Sequence, residues 1–134
     1  MWRRRLALFT AAVLFSAAAC RQARPPQDFG ELVSDVEARI KPEGAEVERR
    51  SQVERTKVSA RVSWEIRAKS SWAAYRAWLA ARLGGENGFH TKSENASQVV
   101  FSRALPADVH SLNVELLEPG PPIRVRVTFE AAAW

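Results

Sequence analysis

The sequence has few of the residue types on which many protein chemistries depend. Its 134 residues include one cysteine, Cys20, and two histidines, His90 and His110. A single cysteine cannot form a disulfide within the chain, so the core alone must hold the fold together. A metal site needs three or four converging ligands, and two distant histidines without a second cysteine do not predict one. We expect no metal and no other cofactor.

Motifs for nucleophilic catalysis and phosphate binding are also missing. No serine has the G-x-S-x-G setting, and Gly84-Gly85 follows a predicted helix, whereas a phosphate-binding loop precedes one. Asp108 and His110 are two residues apart on a predicted strand, but this spacing is common and His110 shares its alternation with core positions. The sequence therefore predicts no catalytic residues and favours a protein that is not an enzyme. An enzyme that uses Asp108 and His110 is the alternative.

The longest run of small or apolar residues, residues 6–19, is short for a membrane span. A spanning helix needs about 20 residues. Three arginines, Arg3 to Arg5, precede the run, and Ala17-Ala18-Ala19 ends it directly before Cys20. A positive start, a short apolar stretch and small residues at its end form the layout of a secretory signal peptide. We expect residues 1–19 to be that signal.

The segment Ala17-Ala18-Ala19-Cys20 resembles the lipobox of bacterial lipoproteins. The resemblance implies that the thiol of Cys20 is acylated, with palmitate-type chains, and that the chain is cut just before it. It also implies a protein tethered to the cell envelope and facing the periplasm. No aspartate follows Cys20, which in such lipoproteins favours the outer membrane over the inner one. The alternative is cleavage by ordinary signal peptidase at the same small residues.

The net charge of +5 does not predict a nucleic-acid partner. Three of the 20 basic residues lie in the expected signal, and removing them leaves 17 against 15 acidic residues, a net +2. Nucleic-acid binding needs a dense basic footprint. The expected partners are therefore the membrane, through the lipid at Cys20, and an envelope protein.

The rest of the chain predicts a linker and one domain. Residues 20–27 hold the lipidated cysteine and Pro25-Pro26, which favours an extended linker of about 3.1 Å per residue. Residues 28–134 are predicted to form a single domain. A first helix is expected from Asp28, which can cap it with Glu31 three residues on, to Ile40. A second is expected from Ser70 or Ser71 to Leu83, where Gly84 ends it.

Alternating or apolar segments predict five strands, and residues 86–96 between the second helix and the third strand are predicted to be a polar loop. The predicted strands are residues 46–53, 56–67, 98–104, 109–117 and 123–130. With the order α-β-β-α-β-β-β, we predict an α+β fold, a two-layer sandwich. In it two helices pack on one face of a mainly antiparallel sheet of about five strands.

Two groups of side chains are candidates for binding a partner. Arg61, Arg124 and Arg126 alternate with apolar residues, so they lie on the wet face of the sheet, where a basic patch is one interpretation. Pairing with glutamates on neighbouring strands is the other. Trp78 lies on the flank of the second helix and is the preferred contact residue, since Trp is enriched at binding hot spots.

We interpret the chain as a small, lipid-anchored envelope protein that acts as a non-enzymatic binding or scaffolding module. The alternative is a carrier of a small apolar ligand or lipid, held in a pocket between helices and sheet. That pocket would be flanked by Trp64 and Trp72. The sequence more simply predicts that Trp64, Trp72 and Tyr75 pack together as core.

Overall fold

The computed structural model describes residues 29–133. It contains two helices, α1 (Phe29–Ile40) and α2 (Trp72–Leu83), and a single 3-10 turn (Gly85–Asn87). The expected signal peptide, lipobox, linker and helix cap at Asp28 lie outside the described residues. Within residues 29–133 no helix combines the length and hydropathy needed to cross a membrane.

Seven strands form one antiparallel sheet. They are β1 (Glu46–Arg50), β2 (Glu54–Arg55), β3 (Ser59–Ala68), β4 (His90–Asn95), β5 (Gln98–Ala104), β6 (Asp108–Glu118) and β7 (Ile123–Ala133). The strands lie in the order β1-β3-β7-β6-β5-β4, and β2 pairs with β3. Strands β3 and β7 pair continuously from Ser59 opposite Ala132 to Ala68 opposite Ile123, so the longest ladder without a register shift lies inside the sheet.

The prediction of a two-layer α+β sandwich with about five strands is wrong. The sheet has seven strands, and about half of the described residues are in strands, so the sheet dominates the fold. The predicted loop at residues 86–96 contains β4. Its sequence HTKSEN is polar and fully exposed, so it has no apolar alternation to reveal it. It forms because its backbone pairs with β5.

The other extra strand, β2, lies at residues 54–55, between the predicted strands at residues 46–53 and 56–67. The predicted strand at residues 46–53 forms only as β1, whose pairing with β3 shifts register between Val47 and Arg49. The chain then leaves the ladder and returns as β2, where Glu54 lies opposite Arg61. Two short strands, one of them not predicted, thus lie along the same edge of β3.

Strand β7 also continues three residues beyond its predicted end at Glu130. Ala131 is fully buried and lies opposite both Ala60 of β3 and His110 of β6. Alanine is depleted in strands, so the sequence alone suggested that the strand had ended. Pairing on both sides overrides that preference.

Both helices bury apolar side chains against the inward residues of the sheet. Phe29 of α1 stacks on Phe129 of β7 with ring centroids 5.7 Å apart. Two hydrogen bonds fix the helices further. The Trp64 indole N–H donates to Glu37 Oε1 at 2.7 Å, and the Tyr75 hydroxyl donates to the Ile40 carbonyl at 2.6 Å. The second bond joins α2 to the end of α1.

The side chain of Ser71 begins α2, as predicted, by accepting a hydrogen bond from the amide of Ala74 at 3.2 Å. This satisfies one of the amides that a helix leaves free in its first turn. Tyr75, Leu79 and Leu83 then recur at helical spacing and are buried. Trp72 and Trp78 of α2 are partly buried and pack against the edge of this core, and the alanines of α2 are exposed.

Substituting Trp64→Ala should lower the free energy of unfolding by about 3–5 kcal/mol, because the side chain is 1% exposed and fills the helix–sheet interface. Ser63→Ala on the opposite face of the same strand is the matched control and should cost less than about 0.5 kcal/mol. Urea unfolding of both variants measures the difference. Equal costs would contradict the assignment of the two faces of β3.

Candidate functional site

The structure places the predicted contact residues on opposite sides of the molecule. Trp78 lies on α2, over the covered face of the sheet. Arg61, Arg124 and Arg126 alternate with buried residues of β3 and β7, so they project from the open face. The four residues therefore do not form one site.

Each of the three predicted arginines has a carboxylate beside it. Arg61 Nη2 lies 2.7 Å from Glu54 Oε2, and the hydrogen bond and charge of Glu54 raise the pKa of Arg61. Arg126 Nη1 lies 3.2 Å from Glu115 Oε1. The open face thus carries ion pairs across strands, which is the second of the two interpretations of these arginines.

Arg124 sits between two carboxylates. Its Nε lies 3.4 Å from Glu118 Oε1 and its Nη1 lies 4.0 Å from Glu65 Oε1. The middle of the open face is uncharged, where Ser63, Thr128 and Asn113 lie opposite one another in register. Exposed ion pairs of this kind contribute about 0–1 kcal/mol each.

On α2, two tryptophans each lie beside an arginine. The Arg76 guanidinium is 5.3 Å from the ring centroid of Trp72, and that of Arg82 is 5.6 Å from Trp78. The Trp72 indole N–H donates to the Ala96 carbonyl at 2.9 Å, which fixes its ring. The ring of Trp78 stacks on that of Tyr75, with the two ring centroids 6.1 Å apart. Both tryptophans are partly exposed, so they stand at the border between core and solvent.

Between these pairs, the outward side of α2 is lined by small apolar residues. The exposed positions Ala73, Ala74, Ala77, Ala80 and Ala81 share this side. The helix contains no aspartate or glutamate. A solvent-facing helix side ordinarily carries charged and polar residues, so this composition is unusual. We call the five alanines with Trp72, Arg76, Trp78 and Arg82 the α2 outer surface.

A third group lies at the end of the sheet, around His110. His110 is 0% exposed, and its Nδ1 accepts a hydrogen bond of 2.9 Å from Arg103 Nε. A guanidinium has only donors, so Nδ1 carries no proton and the neutral ring must carry it on Nε2. That nitrogen lies 3.7 Å from Asp108 Oδ2 and has no hydrogen-bond partner among the described residues.

The surroundings of His110 disfavour its charged form. Burial and the charge of Arg103 lower its pKa, while Asp108 acts in the opposite direction with a smaller effect. Asp108 and His110 do come together, as the enzyme alternative required. The imidazole is nevertheless closed off from solvent, with its ring centroid 5.4 Å from that of Phe129. This geometry offers no reactive atom to a substrate.

The pocket of the carrier alternative would lie between Trp64 and Trp72. The indole N–H of Trp64 is bound to Glu37 and that of Trp72 to the Ala96 carbonyl. Trp64 is itself buried in the core. Neither tryptophan therefore has a free polar group with which to orient a ligand.

Sequence reasoning missed two features of these surfaces. Arg103 lies two residues after Phe101 and four after Val99, both buried, and so shares their face of β5; its inward position could have been predicted from this spacing. The alanines of α2 were also visible in the sequence, but which of them face solvent depends on how the helix sits on the sheet.

Comparison of the chain with protein-family models, with curated proteins and with solved structures gives no match. Across residues 29–133, no three histidine, cysteine, aspartate or glutamate side chains converge as metal ligands would.

Lowering the pH should destabilise the protein through His110. Because the folded state holds the pKa of His110 below its ordinary value of 6.5, the unfolded chain takes up the proton first. The stability that the folded protein gains by keeping His110 neutral is complete above about pH 6.5. It is lost as the pH falls from there toward the pKa of His110 in the folded state.

Urea unfolding of the wild type, His110→Gln and His90→Gln between pH 7.5 and 5 measures this effect. His90 is exposed and is the other histidine of the chain, so its variant should keep the wild-type slope while His110→Gln flattens it. A slope retained in His110→Gln would contradict the assignment.

Proposed function

We propose that this protein is a lipid-anchored binding module of a bacterial cell envelope, without catalytic activity. It docks a protein partner through the α2 outer surface. The observation that carries the proposal is the composition of that surface: two partly exposed tryptophans, each beside an arginine, border a solvent-facing side made of alanine.

Tryptophan and arginine are the side chains most enriched at the energetic centres of interfaces. Here they are already ordered, since Trp72 is held by Ala96 and Trp78 by its stacking on Tyr75. Ordering a long side chain on binding costs about 0.5–1.5 kcal/mol, and part of this cost is avoided. The alanines let a partner approach the helix backbone closely, because interhelical distance depends on the side chains at the contact.

The arginines of the open sheet face support docking less well. A partner that used Arg61 or Arg126 would have to compete with Glu54 or Glu115, which already lie 2.7 Å and 3.2 Å away. On α2, Arg76 lies 3.7 Å from Glu94, but Arg82 has an aromatic ring beside it and no carboxylate among the described residues. The outer surface of α2 is therefore the better candidate.

The proposed anchor rests on the residue pattern that ends at Cys20. Helix α1 begins at Phe29, nine residues later, and an extended linker of about 3.1 Å per residue would reach roughly 28 Å. The proposed location is the outer membrane, with the domain facing the periplasm. At this tether length the module would recruit its partner close to the bilayer.

A photo-crosslinking amino acid placed at Ala77 tests the docking surface in the native cells. One discrete crosslinked species is expected there, and the same probe at Thr128, in the middle of the open sheet face, is the matched control. Crosslinks at Thr128 with none at Ala77 would reverse the assignment of the binding face.

Trp78→Ala should weaken binding of the partner about 30-fold or more, as truncation of a hot-spot residue worth about 2 kcal/mol does.

Cys20→Ser should release the protein from the membrane fraction into the soluble periplasmic fraction, because the thiol is the proposed site of acylation. Fractionation after a high-salt wash measures this, with export checked by processing of the signal peptide. Ser16→Ala within the apolar run is the control and should leave the protein in the membrane fraction. An exported Cys20→Ser protein that stays in that fraction would contradict lipid anchoring.

A further inference from the structure

Most arginines of residues 29–133 have a carboxylate within 4.0 Å, and four have none among the described residues. The paired ones are Arg39, Arg49, Arg61, Arg67, Arg76, Arg124 and Arg126. The four without a described carboxylate are Arg50, Arg55, Arg82 and Arg103. The first three are exposed to water, whereas Arg103 is partly buried. Water can solvate the exposed cations, so Arg103 alone among the four lacks both counterion and full hydration.

The guanidinium of Arg103 is fixed from three directions. Its Nε donates to His110 Nδ1 at 2.9 Å, and its Nη1 donates to the Asn87 carbonyl at 2.8 Å. Its central carbon lies 4.4 Å from the ring centroid of Phe89. These contacts use two of the five N–H donors of a guanidinium. Three donors are left in a planar group whose orientation is set.

The charges nearest to Arg103 do not supply a counterion. Burial lowers its pKa more than Asp35 raises it, and Arg39 lowers it further. The carboxylate of Asp35 is held by Arg39 through two hydrogen bonds of 3.1 Å. On the other side, Asp108 lies against His110 Nε2. His110 itself contacts Arg103 through an unprotonated nitrogen and brings no negative charge.

We propose that Arg103 is the centre of an oxyanion-binding site that takes a carboxylate or phosphate group. Partial burial of a cation costs free energy unless the cation is paired, and a fixed planar fork with free donors matches the geometry of both groups. His110 is a positioning residue here, since its lone pair holds the guanidinium in place. The site is connected to the end of α2 through Asn87, but the proposal does not depend on docking at the α2 outer surface.

Side-chain nitrogen resonances of arginine in the full acylated chain, held in detergent, test the site. Sodium phosphate or sodium acetate is titrated at pH 7.5, with sodium chloride keeping the ionic strength constant. The Nε resonance of Arg103 should shift and saturate, while that of Arg50, the exposed control, should not. The proposal would be overturned if neither anion caused a saturable shift at Arg103 at concentrations up to about 100 mM.

The source of the oxyanion is distinguished by placing the chain in nanodiscs of phosphatidylglycerol without soluble phosphate. If the Arg103 resonance is then already at its saturated position, the ligand is a lipid head group. If it reaches that position only when soluble phosphate is added, the ligand is a free oxyanion. Both results support the site, and a resonance that moves in neither arm refutes it.

Arg103→Lys keeps the charge but loses the planar fork, so its affinity for the anion should fall about tenfold or more. Arg50→Gln removes an exposed charge outside both proposed sites and should leave the affinity unchanged. His110→Phe changes no charge in the neutral site but frees the guanidinium, and it should weaken binding while the backbone spectrum stays folded. Wild-type affinity in both Arg103→Lys and His110→Phe would show that the anion binds elsewhere.

Discussion

The pairing of β3 with β7 is the constraint on which the rest of the structure depends. These strands are more than fifty residues apart in the sequence, yet they pair along ten consecutive positions. Phe129 of β7 contacts Phe29 of α1 and the ring of His110. The ladder therefore sets where α1 lies and closes the environment of the buried histidine. The ladder also joins β1, β2 and β3 to the other four strands, since β1 and β2 pair with β3 alone among the described strands.

The sequence was informative where one face of an element is buried and the other wet. Strand β3 and both helices follow their periodicity, because burial of apolar residues is what that periodicity reflects. Strand β4 could not be found this way, since all its side chains are exposed and its place is decided by the backbone of β5. Its polar composition, with Lys92 at the register shift, is typical of an edge strand that avoids pairing with other chains.

For the candidate surfaces too, sequence periodicity predicted which side chains are exposed but not which residues they contact. Trp78 was predicted to be partly exposed because it lies off the apolar stripe, and the structure places it so. Pairing of the open-face arginines depends on register, which sequence spacing does not contain: Arg126 meets Glu115 because β6 and β7 align those residues. The inward position of Arg103 follows from alternation in β5, but its contact with Asn87 follows only from the way the chain leaves α2.

Asn87 joins the two proposed sites. Its carbonyl accepts a hydrogen bond from Arg103, and its side-chain amide donates to the Arg82 carbonyl at 2.6 Å, in the last turn of α2. Gly88, at φ 76°, follows it in the left-handed conformation that glycine adopts at no steric cost, and so lets the chain turn directly into β4. A rotation of the Asn87 backbone or side chain would break one of these two hydrogen bonds. The end of the α2 outer surface and the guanidinium of Arg103 are therefore held in place by the same residue.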